Sequence, residues 1–167
     1  MQEASTELIG VLEQTRPRLL ALTEERASEK PFADKWSLKE ILGHLVDSAA
    51  NNHQRFVRMQ ERPDIGSFSY EQEHWVASQQ YQRRSWPELV ELWYHFNRHL
   101  AHVIAKIDPA SLSHTCDMDY PAPATLRFVV EDYIRHVRHH LGQILEDTDP
   151  RWRRKWTRRN PQEPGAA

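Results

Sequence analysis

The chain has 167 residues, with 22 Lys or Arg, 24 Asp or Glu and 10 His, and a formal net charge of −2. That length suits one domain with a hydrophobic core of its own. The single cysteine, Cys116, excludes an intrachain disulfide, and no apolar run approaches membrane-spanning length.

Only five residues are glycine, and alternating runs of β-branched residues are nearly absent. Leu, Glu, Gln, Arg and Ala are plentiful, a balance that favours helix over sheet. The N-terminal MQEASTELIG has neither the charged nor the apolar region of a signal peptide. With the lone cysteine, this makes a reducing cytoplasm the expected location.

The first helix is predicted from about Thr6 to Ala27, on Leu8, Ile9, Leu12, Leu19, Leu20 and Leu22, with a kink at Pro17. A loop over Ser28–Lys35 follows. Ser37 and Glu40 have the spacing of a capping box, with Trp36 before the cap and Ile41 one turn on. They open a second helix to about Gln60, carried by Leu38, Ile41, Leu42, Leu45, Ala49, Asn52 and Phe56. Pro63, Asp64 and Gly66 break it. Residues 61–84 form a long connection with a short helix around Tyr70–Ala77. Ser85 and Pro87 start a third helix on Leu89, Trp93, Phe96, Leu100, Val103 and Ile107. After an exposed link over 110–123, a fourth helix runs from about Thr125 to Glu146. Four amphipathic helices of similar length predict an all-α four-helix bundle over residues 1–150, with polar chemistry placed between helices.

Residues 151–167 read as a separate basic tail. They hold six of the 22 basic residues and one of the 24 acidic ones, leaving 16 and 23 in residues 1–150. A basic tail bearing Trp152 and Trp156 suits an acidic partner. The expectation is that it docks back on the acidic body. Nucleic acid is disfavoured, because nothing in the bundle resembles a recognition helix.

Ten histidines are the feature most in need of explanation. At about 100° per residue from Tyr133, His136 falls near −60° and His140 near −20°, inside the core-facing stripe of the fourth helix, while His139 falls near −120° on its flank. Spacing therefore selects His136 and His140 as the inward pair of the HVRHH run. On the second helix His44 lies near −100° from Leu45, beside Ser37, Ser48 and Arg55, on a seam suited to facing the fourth helix. Gly43 leaves room for a close approach there. Buried imidazoles need partners, and a shared metal ion and a hydrogen-bond network answer that need equally well. His95 and His99 repeat the same spacing, but at the solvent edge of the third helix.

These residues resemble the DinB superfamily and, within it, the YfiT-like proteins. WSLKEILGHLVDS (Trp36–Ser48) resembles the family's second-helix signature, and HVRHHLGQI (His136–Ile144) its fourth-helix HxxxH and Gly-Gln-Ile run. SYEQEHW (Ser69–Trp75) is similar to a Tyr- and Trp-containing segment of the YfiT-like branch. The resemblance spans roughly residues 6–147. It implies that His44, His136 and His140 are the ligands of one divalent ion, zinc or nickel, with water in the remaining positions. It also implies a homodimer acting on a small molecule, either as a metal-dependent hydrolase or as a transferase of a thiol such as bacillithiol or mycothiol. Three neutral histidines with an open position suit an ion that activates a bound water or thiol. The alternative is a non-catalytic helical module held together by its metal.

No residue presents itself as a catalytic base. Asp132 and Gln143 flank the inward stripe and suit a role orienting a ligand imidazole. Tyr133, Trp75 and Tyr70 are expected to wall the pocket. Asp47, about 160° from Leu45, is expected at the surface or in an intra-helix contact.

Overall fold

The computed structural model describes residues 1–32, 34–118 and 121–146. The proposed boundary at residue 150 and the basic tail lie outside the described residues. The elements are α1 (Gln2–Leu20), α2 (Glu24–Ser28), α3 (Leu38–Glu61), β1 (Asp64–Ser67), α4 (Gln72–Gln79), α5 (Trp86–Ala105), β2 (Thr115–Asp117), β3 (Ala124–Thr125) and α6 (Leu126–Glu146).

The four long helices make the bundle. α1 packs on α5 and α6, and α3 packs on the same two, so α1 and α3 occupy opposite corners. Each turns a stripe of Leu and Val inward, joined by aromatic residues on α3, α5 and α6, and Trp86, Trp93, Tyr133 and Phe56 are among the largest fully buried side chains. Tyr133 donates its hydroxyl to Asn97 across the core, and Phe56 meets the Tyr133 ring edge-on at 5.8 Å. A buried phenol is tolerable because that hydroxyl has an acceptor. Among the described residues, no helix is long and apolar enough to cross a membrane.

The helix starts have specific chemical causes. Ser37 and Glu40 form the reciprocal capping box that opens α3. Ser85 stands at the N-cap of α5 without a side-chain cap bond. The Glu24 carboxylate accepts from the Trp86 N–H instead, at 2.8 Å. The first helix ends at Leu20, not near Ala27. Pro17 lies inside it, and the break comes after it, where the Thr23 side chain accepts from the Arg26 N–H and starts α2 afresh.

The connections hold more structure than their sequence suggests. β1, β2 and β3 form a three-stranded sheet in that order, with β1 parallel to β2 and β2 antiparallel to β3. Cys116, paired with Ala124, is fully buried beneath it. Strands of two to four residues cannot show an alternating pattern, so the sequence reads there as loop. In the connection between α3 and α5, α4 begins two residues later than expected and ends at Gln79, capped by Gln80, which takes a left-handed conformation with φ 51°. A 3-10 turn over Tyr81–Arg83 then leads into α5.

Candidate metal centre

α3 and α6 lie side by side, and His44 from one meets His136 and His140 from the other. The i, i+4 spacing stacks the two α6 rings on one face, with centroids 4.5 Å apart. The His44 ring lies 5.1 Å from His136 and 4.9 Å from His140. The Nε2 atoms of His44 and His136 are 3.1 Å apart. Nitrogens bound to one tetrahedral ion at about 2.0–2.1 Å would be separated by about 3.3 Å, so the spacing fits. One ring nitrogen from each of the three residues lies within 4.8 Å of the others.

The outer nitrogens are mostly held. His136 Nδ1 is 3.3 Å from the Ser48 hydroxyl. His140 Nδ1 is 2.7 Å from the Gln143 amide oxygen. With a carbonyl as partner, Nδ1 must carry the proton and donate it, which leaves the Nε2 lone pair of His140 free. Gln143 also donates its amide to His139 at 3.2 Å. Trp36 leans on the His44 ring at 5.2 Å and 40°. Among the described residues, no hydrogen-bond partner reaches His44 Nδ1, although it is buried.

Burial fixes the charge state of the centre. It pushes His44 down to about 3 and His136 to about 4, and the neighbouring rings push the same way. His140 is lowered too, mainly by burial. All three rings are therefore neutral at pH 7, the state a metal ligand needs. Three uncharged nitrogen donors around one point suit a borderline-soft divalent ion such as zinc or nickel better than calcium or magnesium, which prefer oxygen.

Two spaces adjoin the centre. A cavity of about 160 Å³ is lined by His44, His136, Ser48, Asn52, Tyr70, Asp132 and Tyr133, with Gln72 and Met118. Burial pushes the Tyr70 phenol up to about 12, so it keeps its proton at pH 7. A more apolar groove of about 320 Å³ reaches His140 and Gln143 between Phe32, Trp36, Leu38 and Ile41, with Asp34, Lys35 and Glu73.

Gln143 stands where the sequence placed it, and Asp132 and Tyr133 line the cavity. Trp75 does not. It stands behind Tyr70, with ring centroids 5.3 Å apart. His95 and His99 are exposed at the bundle surface. The clearest correction is Asp47, which is 1% exposed. Its Oδ1 accepts the Tyr81 hydroxyl at 2.6 Å and the Gln79 amide. The helical wheel of α3 placed Asp47 opposite the core because it took no account of the chain between α4 and α5, which covers that side. Gly43 makes room for that covering chain and not for α6, since a Cβ there would lie 2.1 Å from the Tyr81 ring.

Comparison with known proteins bears on the family and the fold. The model of the DinB superfamily matches residues 7–144. The chain belongs to the DinB superfamily. No curated protein matches it significantly. Among solved structures, this DinB-superfamily chain is similar to YfiT from Bacillus subtilis, described as a probable metal-dependent hydrolase with an unusual four-helix-bundle topology. The TM-score is 0.76 over 86% of this chain and 83% of that one, at 16% sequence identity. Identity that low carries the bundle topology only. The three-histidine cluster is a property of this chain's own residues.

Proposed function

We propose that this protein holds one divalent ion, zinc or nickel, through His44, His136 and His140, and uses it as an enzyme on a small molecule. The observation that carries this reading is the meeting of three neutral imidazoles from two helices, His44 buried and His136 and His140 half-buried, with a polar cavity at their side. An ion bound by three neutral ligands keeps its full charge and lowers the pKa of a bound water or thiol. Hydrolysis and S-transfer from a low-molecular-weight thiol are the two chemistries that follow. The bundle resemblance to a probable metal-dependent hydrolase supports the first.

This chain's own residues set the limits of the substrate. The cavity of about 160 Å³ admits a small polar group, while the groove past His140 offers Phe32, Trp36 and Ile41 to an apolar portion. Ser48, Asn52 and the neutral Tyr70 phenol supply hydrogen bonds to the reacting end, and Asp132 supplies an acceptor. The test is metal analysis of the purified full-length chain beside His140→Ala. About one divalent ion per chain is expected for the wild type, with strong loss in the variant. Full occupancy in His140→Ala would refute the ligand assignment.

A further inference from the structure

We infer that Asp47 is a positioning residue for the metal centre, its free carboxylate oxygen accepting the Nδ1–H of His44 and its charge balancing the bound ion. The inference rests on the proposed three-histidine metal site and adds to it a residue outside the ligand set.

If His44 binds through Nε2, its proton sits on Nδ1. That N–H is buried and, among the described residues, lacks a partner. A buried donor left unsatisfied pays the full cost of its lost hydration. Three buried side-chain polar atoms lack a partner among the described residues: His44 Nδ1, Trp93 Nε1 and Asp47 Oδ2. Only the last is an acceptor. His44 and Asp47 are three residues apart on α3, and side chains at that spacing are neighbours on a helix surface. A turn of the His44 ring as the ion seats is the movement that would join them.

The surroundings of Asp47 point the same way. Tyr81 and Gln79 both bond to Oδ1 and leave Oδ2 bare. One oxygen is thus fixed and the other is presented. The chain also keeps a glycine at position 43, without which the Tyr81 ring could not lie there. A buried carboxylate held only by neutral donors is costly in a metal-free protein. Beside an ion whose ligands are all neutral, the same charge is favourable, and a carboxylate behind a metal-bound histidine raises the basicity of that ligand.

The experiment pairs two readouts on Asp47→Asn, in the full chain, with Ni²⁺ as the probe. Chelator-competition titration gives the dissociation constant, and thermal melting gives the stability of the metal-free protein. The expected result is a Ni²⁺ dissociation constant raised 10- to 100-fold, together with an unchanged or higher metal-free melting temperature. A purely structural Asp47 would do the reverse, lowering the metal-free melting temperature and leaving the constant within about threefold. That result overturns the inference and leaves the metal site standing. A wild type that binds no Ni²⁺ overturns both. Asp47→Ser is read in the same way if the asparagine variant does not fold, and failure of both to fold also overturns the inference.

Discussion

His44 and His136, 92 residues apart in sequence, bring their Nε2 atoms to 3.1 Å across the α3–α6 seam. Without an ion, two neutral rings in this position share one N–H···N hydrogen bond, and a divalent ion between them would replace it with two metal–nitrogen bonds. Binding to the folded state alone raises stability by mass action, about 2.7 kcal/mol at a hundredfold excess over the dissociation constant. Saturating Zn²⁺ or Ni²⁺ is therefore expected to raise the melting temperature of the wild type and to leave that of His136→Ala unmoved. Equal shifts in both proteins would place the ion elsewhere.

The bundle should survive without its ion. The core of Trp86, Trp93, Phe56 and the Leu and Val stripes is complete by itself, and apolar burial on that scale dominates folding. Chelation is expected to leave the far-ultraviolet circular dichroism at 25 °C unchanged while abolishing any catalytic activity. Loss of helix on chelation would favour the reading in which metal merely holds the helices together.

Gln143 holds His140 in the tautomer that exposes Nε2. Gln143→Leu keeps the helix and roughly the volume but removes the acceptor. Replacing such an outer partner commonly costs 10- to 100-fold in metal affinity, and about tenfold is expected here. Gln143→Glu restores an acceptor and should restore binding. Chelator-competition titration of the three proteins decides it; equal affinities would remove Gln143 from the centre.

The inward position of His136 and His140 was legible because α6 is long and regular, so its 3.6-residue period separates them cleanly from His139. The capping box of α3 was legible for the same local reason. What local rules could not give was anything made by chain distant in sequence. Asp47 looked like a surface residue until Gln79 and Tyr81 covered it. Ser85 looked like a side-chain cap until Glu24, 62 residues away from Trp86, took the role. The sheet of β1, β2 and β3 draws its strands from two separate connections, so no single window of sequence contained it.

Gly43 carries a prediction about the wall behind the centre. On propensity alone, Gly→Ala inside α3 would stabilise by roughly 1 kcal/mol. Here the new Cβ would meet the Tyr81 ring at 2.1 Å, and Tyr81 is 2% exposed with little space to retreat. Overpacking of this kind costs about 1–3 kcal/mol. Gly43→Ala is expected to be net destabilised in urea titration, and the same change made in a Tyr81→Ala background, where the ring is gone, to be stabilising relative to Tyr81→Ala alone. A stabilised single variant would mean that the Tyr81 contact yields easily.

Acid should weaken the metal-free protein through the same histidines. His44 is held down to about 3 and His136 to about 4 in the fold, chiefly by burial, against about 6.5 in an unfolded chain. Between these values the unfolded state binds protons that the folded state refuses. Stability is therefore fully present above about pH 6.5 and falls as the pH drops towards 4 and then 3, by up to about 1.4 kcal/mol per pH unit for each ring. Asp132 opposes the effect at His136, and His140 and His139 reinforce it. Urea midpoints measured from pH 7 to pH 5 should decline in the wild type and decline less in His136→Gln, which cannot take up that proton. A bound ion deepens the dependence, because protons compete for the same lone pairs. Parallel pH profiles for the wild type and His136→Gln would show that the ring of residue 136 titrates as freely in the fold as in the unfolded chain, and that burial does not hold it neutral below about pH 6.5.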